Sequence, residues 1–97
     1  MIYHITNQSA WEAALQKGFY VTKSLENEGF IHTSALEQVP GVLARYYKNE
    51  PGLILLHINE SKLSSPFKYE IAPSVNEMFP HIFGPINIDA VIKTETL

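Results

Sequence analysis

The stretch that most constrains this chain is Gly29-Phe30-Ile31-His32-Thr33-Ser34 and the segment after it, Ala35 to Tyr47. It reads as a strand entered through a glycine, carrying a histidine followed by two hydroxyls, and then turning into an amphipathic helix. Strand side chains alternate faces, so if Ile31 enters the core, Phe30 and His32 share the opposite face. Ser34-Ala35-Leu36-Glu37 has the form of a capping box. Ala35, Val39, Val42, Leu43 and Tyr46 keep helical spacing. Pro40 conflicts with a single helix from Ser34, because it lacks an N–H and crowds the carbonyl four residues back. A first turn through Gln38, followed by a helix with Pro40 near its start, resolves the conflict. Asn49-Glu50-Pro51-Gly52 ends that helix.

The remaining segments fit around this unit. Ile2 to Thr6 is β-branched and aromatic and reads as a first strand. Ser9-Ala10-Trp11-Glu12 predicts a second capping box, then a helix with Trp11, Ala14 and Leu15 inward, stopped by Gly18. Phe19-Tyr20-Val21 is a short extended piece, and Ser24 to Glu28 reads as a polar loop. Leu53 to Asn59 is apolar on both faces and takes a central strand position. Glu60 to Pro66 is a loop. Phe67 to Ala72 is a strand with Tyr69 and Ile71 on one face and Lys68 and Glu70 on the other. Pro73 to Glu77 is a turn. Phe79-Pro80-His81-Ile82-Phe83-Gly84-Pro85 reads as a rigid loop, and Ile86 to Thr94 as a final strand. The predicted class is α+β, with a mixed or mostly antiparallel sheet and two main helices in a single domain over residues 1–97.

Composition removes several function classes. A chain of 97 residues suits one domain. At this size about 60–65% of the unfolded surface is buried, so modest stability or a homodimer is expected beside a monomer. A net charge of -3 with no basic stripe argues against a nucleic-acid partner. The absence of cysteine excludes thiol nucleophiles, disulfides and thiolate metal sites, and it fits the cytosol. The N-terminus lacks the charged and long apolar regions of a signal peptide. Leu53-Ile54-Leu55-Leu56 falls far short of the ~20 residues that span a bilayer, so no membrane partner is expected.

Three residues lead the candidates for chemistry. His32, beside Thr33 and Ser34, has the donors and acceptors to hold a ribose or another polyol, or it is a histidine tied to backbone. Glu70 lies on a largely apolar strand. It either polarises a substrate hydroxyl and stabilises developing positive charge, or faces solvent. His81, held between prolines and aromatics, is a pocket wall or a loop cap. His57 fits a half-exposed sheet face, and Tyr20, Tyr46 and Tyr47 are expected to pack on the core with hydroxyls at the surface. The four histidines show no ligand spacing, so no metal is expected. A nucleophile elbow around Ser34 and a glycine-rich phosphate loop are both missing.

The GFIH-x-S run, Gln38-Val39, Leu53-Ile54-Leu55-Leu56, Tyr69-Glu70 and the FPH-x-(aromatic)-GP run, in that order, resemble the domain of unknown function 952 family over Ile2 to Val91. The family is grouped with the ADP-ribosyltransferase-like superfamily, whose members use NAD or act on ADP-ribose-type compounds. This chain has His4 where the family more often has lysine, Tyr69 where it often has tryptophan and Phe83 where it often has tyrosine. The resemblance implies an ADP-ribosyltransferase-like fold, NAD as a substrate rather than a resident cofactor, and a small nucleotide-like ligand. It implies His4 as a ribose contact, His32 and Phe30 as the holders of the nicotinamide ring, Ser34 as a contact to its amide, and Glu70 as the late acid. On that footing His32 and Glu70 are the candidate catalytic residues, and Phe30, Thr33, Ser34, His81 and His4 the candidate binding residues. Whether the cleft catalyses, only binds a metabolite, or gives way to a protein-interaction surface is left open by the sequence.

Overall fold

The most apolar segment becomes the middle strand of a sheet, where both of its faces are covered. The computed structural model describes all residues from Met1 to Leu97. In chain order the elements are β1 (Ile2–Asn7), α1 (Gln8–Lys17), β2 (Phe19–Tyr20), α2 (Lys23–Glu28), β3 (Ile31–His32), α3 (Val39–Tyr46), β4 (Leu53–Ile58), β5 (Phe67–Ala72), β6 (Glu77–Ile82), β7 (Ile86–Asn87) and β8 (Val91–Thr96). They form two three-stranded sheets, ordered β1-β4-β8 and β3-β6-β5, and a two-stranded ribbon of β2 and β7. Every pairing is antiparallel. The first two sheets meet at a single bridge between Tyr3 and Ser34, whose N–H groups donate to each other's carbonyls at 2.8 Å.

Alternation along β1 and β4 divides the core in two. Ile2, Ile54, Leu56 and Ile58 face Trp11 and Ala14 of α1 together with Ile31, Ile82 and Ile86. Tyr3, Ile5, Leu53 and Leu55 face the other way, toward Val39, Val42 and Leu43 of α3. Pro40 sits in the first turn of α3, after a 3-10 turn over Leu36–Gln38. There its missing N–H removes no helical bond.

Several predicted boundaries move, each for a local reason. Asn7, not Ser9, caps α1; its Oδ1 accepts from Ala10 N at 2.8 Å and from the Ser9 hydroxyl at 2.9 Å. Leu15 then rotates outward and stands half exposed, while Trp11 and Ala14 are buried. The expected polar loop at Ser24–Glu28 is the helix α2. Thr22 caps its start and Gly29, at φ 89°, ends it in the left-handed conformation. Ser34 opens no capping box. Its backbone is committed to Tyr3, and the side chain of Gln38 closes the following turn onto Ala35 N at 2.9 Å.

Phe79–Ile82 is not a loop but the last four residues of β6. Pro80 survives in this strand because its N–H would face the end of the two-residue β3, while its carbonyl still accepts from Thr33 N and Thr33 Oγ1. Ile86–Thr94 is broken by a 3-10 turn over Ile88–Ala90, which buries Ala90 and starts β8 afresh. Tyr20 is buried with its hydroxyl inside, and Tyr46 is exposed. The secondary structure is otherwise the expected α+β antiparallel arrangement. No helix is long and apolar enough to cross a membrane.

Candidate functional site

A cleft of about 1020 Å³ opens along the junction of the two main sheets. β1 supplies its floor through Tyr3, His4 and Thr6, and the β3–β6 pair supplies one wall through Phe30, His32, Ser34, Phe79 and His81. The start of α2, Tyr46 and Tyr47 near the end of α3, and the β5–β6 turn around Pro73 complete the rim. The rim carries one cation, Lys23, and two carboxylates, Glu28 and Glu50.

The wall follows from strand register. His32 and His81 are directly opposite across the β3–β6 pair, so their side chains stand on the same face. Their rings are 5.5 Å apart at 73°. Phe30 stacks flat on His81, with centroids 4.0 Å apart and planes 15° apart, and meets His32 edge-on at 4.9 Å. Phe83 packs beside Phe30 at 5.8 Å, with Lys68 Nζ 5.9 Å from the Phe83 ring. Glu70 does not reach the cleft wall itself. It lies opposite Phe79 across the β5–β6 pair, diagonal to His81, and its Oε1 is 2.8 Å from His81 Nδ1. His32, expected to be the central group, is the more exposed imidazole, with Nε2 3.3 Å from Glu28.

The floor is a closed polar chain. His4 is only 8% exposed. Its Nδ1 donates to the His32 carbonyl at 2.6 Å, and its Nε2 lies 2.7 Å from Tyr20 Oη, which in turn is 2.9 Å from Thr6 Oγ1. A carbonyl only accepts, so the neutral ring carries its proton on Nδ1 and presents Nε2 to the Tyr20 hydroxyl. Burial drives the His4 pKa down to about 4, opposed by the His32 carbonyl, with the nearby His32 ring lowering it further. Burial pushes the Tyr20 phenol up to about 12. Burial also raises the Tyr47 phenol, with Glu50 adding to the effect. His4 thus lines the site with both nitrogens already used. Thr33 is likewise committed, its hydroxyl donating to the Pro80 carbonyl at 2.6 Å. His57 lies elsewhere, edge-on to Tyr3 and 2.8 Å from Glu95.

Of the residues singled out in the sequence, Phe30, His32, Thr33, Ser34, His81 and His4 surround one cleft, and Glu70 stands behind His81. The sequence reading did not single out Tyr20 as part of the floor, or Glu28 as the partner of His32. Tyr20 carries no local pattern that announces a buried hydroxyl. Glu28 became adjacent to His32 only because α2 and the Gly29 turn fold it back.

The arrangement defines a class of protein: a small antiparallel α+β domain with an aromatic and imidazole cleft between two sheets. The chain belongs to the family described as Protein of unknown function (DUF952), whose profile matches residues 5–94. It is similar to protein CC0527 from Caulobacter crescentus. In the crystal structure of that protein the identity is 29% and the TM-score 0.86, over 96% of this chain and 82% of the other. Its solution NMR structure matches at 29% identity and a TM-score of 0.84, over 99% and 83%. A double mutant of the same protein matches at 28% identity and 0.85, over 96% and 82%. No curated protein shows a significant match to the chain.

Proposed function

We propose that the cleft binds a nucleotide of the NAD or ADP-ribose type, and that the chain is an ADP-ribosyltransferase-like protein that transfers or hydrolyses the ribosyl group. The single observation that carries this reading is the wall of Phe30, His32 and His81, which offers stacking faces and imidazole nitrogens within one cleft. Its volume of about 1020 Å³ is large enough for a nucleotide. Ser34 lines the same wall and offers a hydroxyl to a ring amide. The nicotinamide of oxidised NAD is a pyridinium, so an aromatic wall beside the Glu28 carboxylate suits its positive charge.

A second reading is favoured by a different observation. Lys23 is the only cationic side chain on the rim, and Glu70 bonds His81 instead of facing the cleft. A site so built would hold a nucleotide or other small metabolite without cleaving it.

An amide-resolved NMR titration with NAD, and separately with ADP-ribose and nicotinamide, tests both. Shifts confined to Phe30, His32, Ser34 and His81, saturating at about millimolar ligand or below, are expected. Nicotinamide release by the titrated protein then separates the enzyme from the binder. No localised shift with any of the three ligands would remove the nucleotide reading altogether.

A further inference from the structure

The four histidines stand in four different situations, and only His81 is built as a base. His4 has both nitrogens engaged. His57 faces Glu95 outside the cleft. His32 stands on the rim, its side chain 56% exposed and at a long 3.3 Å from a mobile-length glutamate side chain. His81 is 7% exposed, with its ring clamped between the Phe30 face and the Glu70 carboxylate. The ionised carboxylate only accepts, so Nδ1 carries the proton and Nε2 holds the lone pair. No protein group bonds Nε2, and no enclosed side-chain polar atom of the molecule is without a partner, so Nε2 opens to the cleft that His81 lines. A carboxylate that fixes the tautomer of an imidazole, and then faces the charge formed when the far nitrogen takes a proton, is the general-base arrangement.

We propose that His81 Nε2 is the base that takes the proton of the attacking water or acceptor hydroxyl, with Glu70 as its positioning residue. The proposal rests on the nucleotide reading above and reassigns Glu70 from catalytic acid to orienting carboxylate. In the hydrolytic case a lone pair of the water oxygen forms the bond to the ribose C1′. The C1′–N bond breaks, and its electron pair neutralises the pyridinium, so nicotinamide leaves uncharged. The water proton passes to His81 Nε2 and then to solvent. NAD and water thus give ADP-ribose, nicotinamide and one proton.

Two measurements test this. The first needs no ligand: long-range ¹H–¹⁵N spectra of the imidazoles at neutral pH. His81 is expected as the Nδ1–H tautomer in the wild type and in Glu70→Gln, whose amide oxygen still accepts, and as a mixture of tautomers in Glu70→Ala. A wild-type His81 protonated on Nε2 overturns the proposal even if every variant misfolds. The second is nicotinamide release from NAD. His81→Ala is expected to lower kcat by about 10²–10⁴-fold, with partial rescue by added imidazole. Glu70→Ala is expected to lower kcat in the same direction, with Glu70→Gln between it and the wild type. An unchanged kcat in a folded His81→Ala protein overturns the proposal. NAD binding without nicotinamide release by the wild type also overturns it and leaves the nucleotide reading standing, whereas absence of NAD binding defeats that reading itself.

Discussion

His4 should make this protein acid-labile by an amount that its surroundings set. The ring titrates at about 4 in the fold against 6.5 when free, because burial disfavours the imidazolium. Between those values the unfolded chain binds more protons than the folded one, so stability rises with pH across the window. Stability is fully present above pH 6.5, falls as the pH drops, and falls no further below pH 4, where both states are charged. The loss over the whole window is about 3 kcal/mol, of which about 2 kcal/mol falls between pH 7 and pH 5. For a domain of this size the latter lowers the urea midpoint by roughly 1–2 M. The assay is urea unfolding at a series of pH values for the wild type and for His4→Gln. Titrations of the other histidines are common to both proteins and cancel in the difference. The wild-type curve should descend about 2 kcal/mol more steeply than that of the variant over this range. Parallel curves, or an NMR titration of the His4 ring with a midpoint near 6.5, would refute the reasoning.

Three further perturbations follow from the fold. Tyr20→Phe removes the hydroxyl from between His4 and Thr6. It leaves a buried nitrogen unpaired, at a cost of about 1–3 kcal/mol measured by denaturant unfolding. Ile82→Ala, at a position with 0% exposure in the centre of the main core, should cost about 2–5 kcal/mol. It should also broaden the His81 resonances in NMR spectra by loosening β6. Gly29→Ala forces a side chain into φ 89° at the end of α2, costing about 1–2 kcal/mol by thermal unfolding. Because Gly29 leads directly into Phe30, it should weaken any ligand of the cleft as well.

How far the sequence led depended on the type of signal. β5 came out with its boundaries right because Phe67–Ala72 alternates cleanly between turn signals. β4 came out right, apart from Asn59, because only a central strand tolerates apolar residues on both faces. The break before Pro40 was legible because proline chemistry is local. α2 was missed because Lys23–Glu28 has no apolar stripe; only Thr22 at one end and Gly29 at the other marked it. β6 was missed because Pro80 reads as a breaker, and only the tertiary fact that β3 is short makes it harmless. The membership of the cleft wall was written in the residues, but its wiring was not. The contact between Glu70 and His81 needed the register of the β5–β6 hairpin. A hairpin folded about Ser74 and Val75, with Phe79–Ile82 extended, sets that register. The buried chain from His32 through His4 and Tyr20 to Thr6 joins three separate elements, and no local pattern encodes it.

The Tyr3–Ser34 bridge has a kinetic consequence. The floor of the cleft belongs to one sheet and its wall to another, yet the sheets share backbone bonds only through these two residues. Separating floor from wall breaks those two bonds and the one from His4 to the His32 carbonyl, and parts the core contact of Ile2, Ile54, Leu56 and Ile58 with Ile31 and Ile82, while every strand ladder stays intact. Such an opening is a sub-global fluctuation, cheaper than unfolding. In deuterium exchange the amides of Tyr3 and Ser34 should therefore exchange faster than their strand neighbours, with a denaturant dependence that reports the core surface the opening exposes but stays below that of global unfolding. A ligand that bridges floor and wall would slow these two amides before any other, making them a built-in gauge of cleft occupancy.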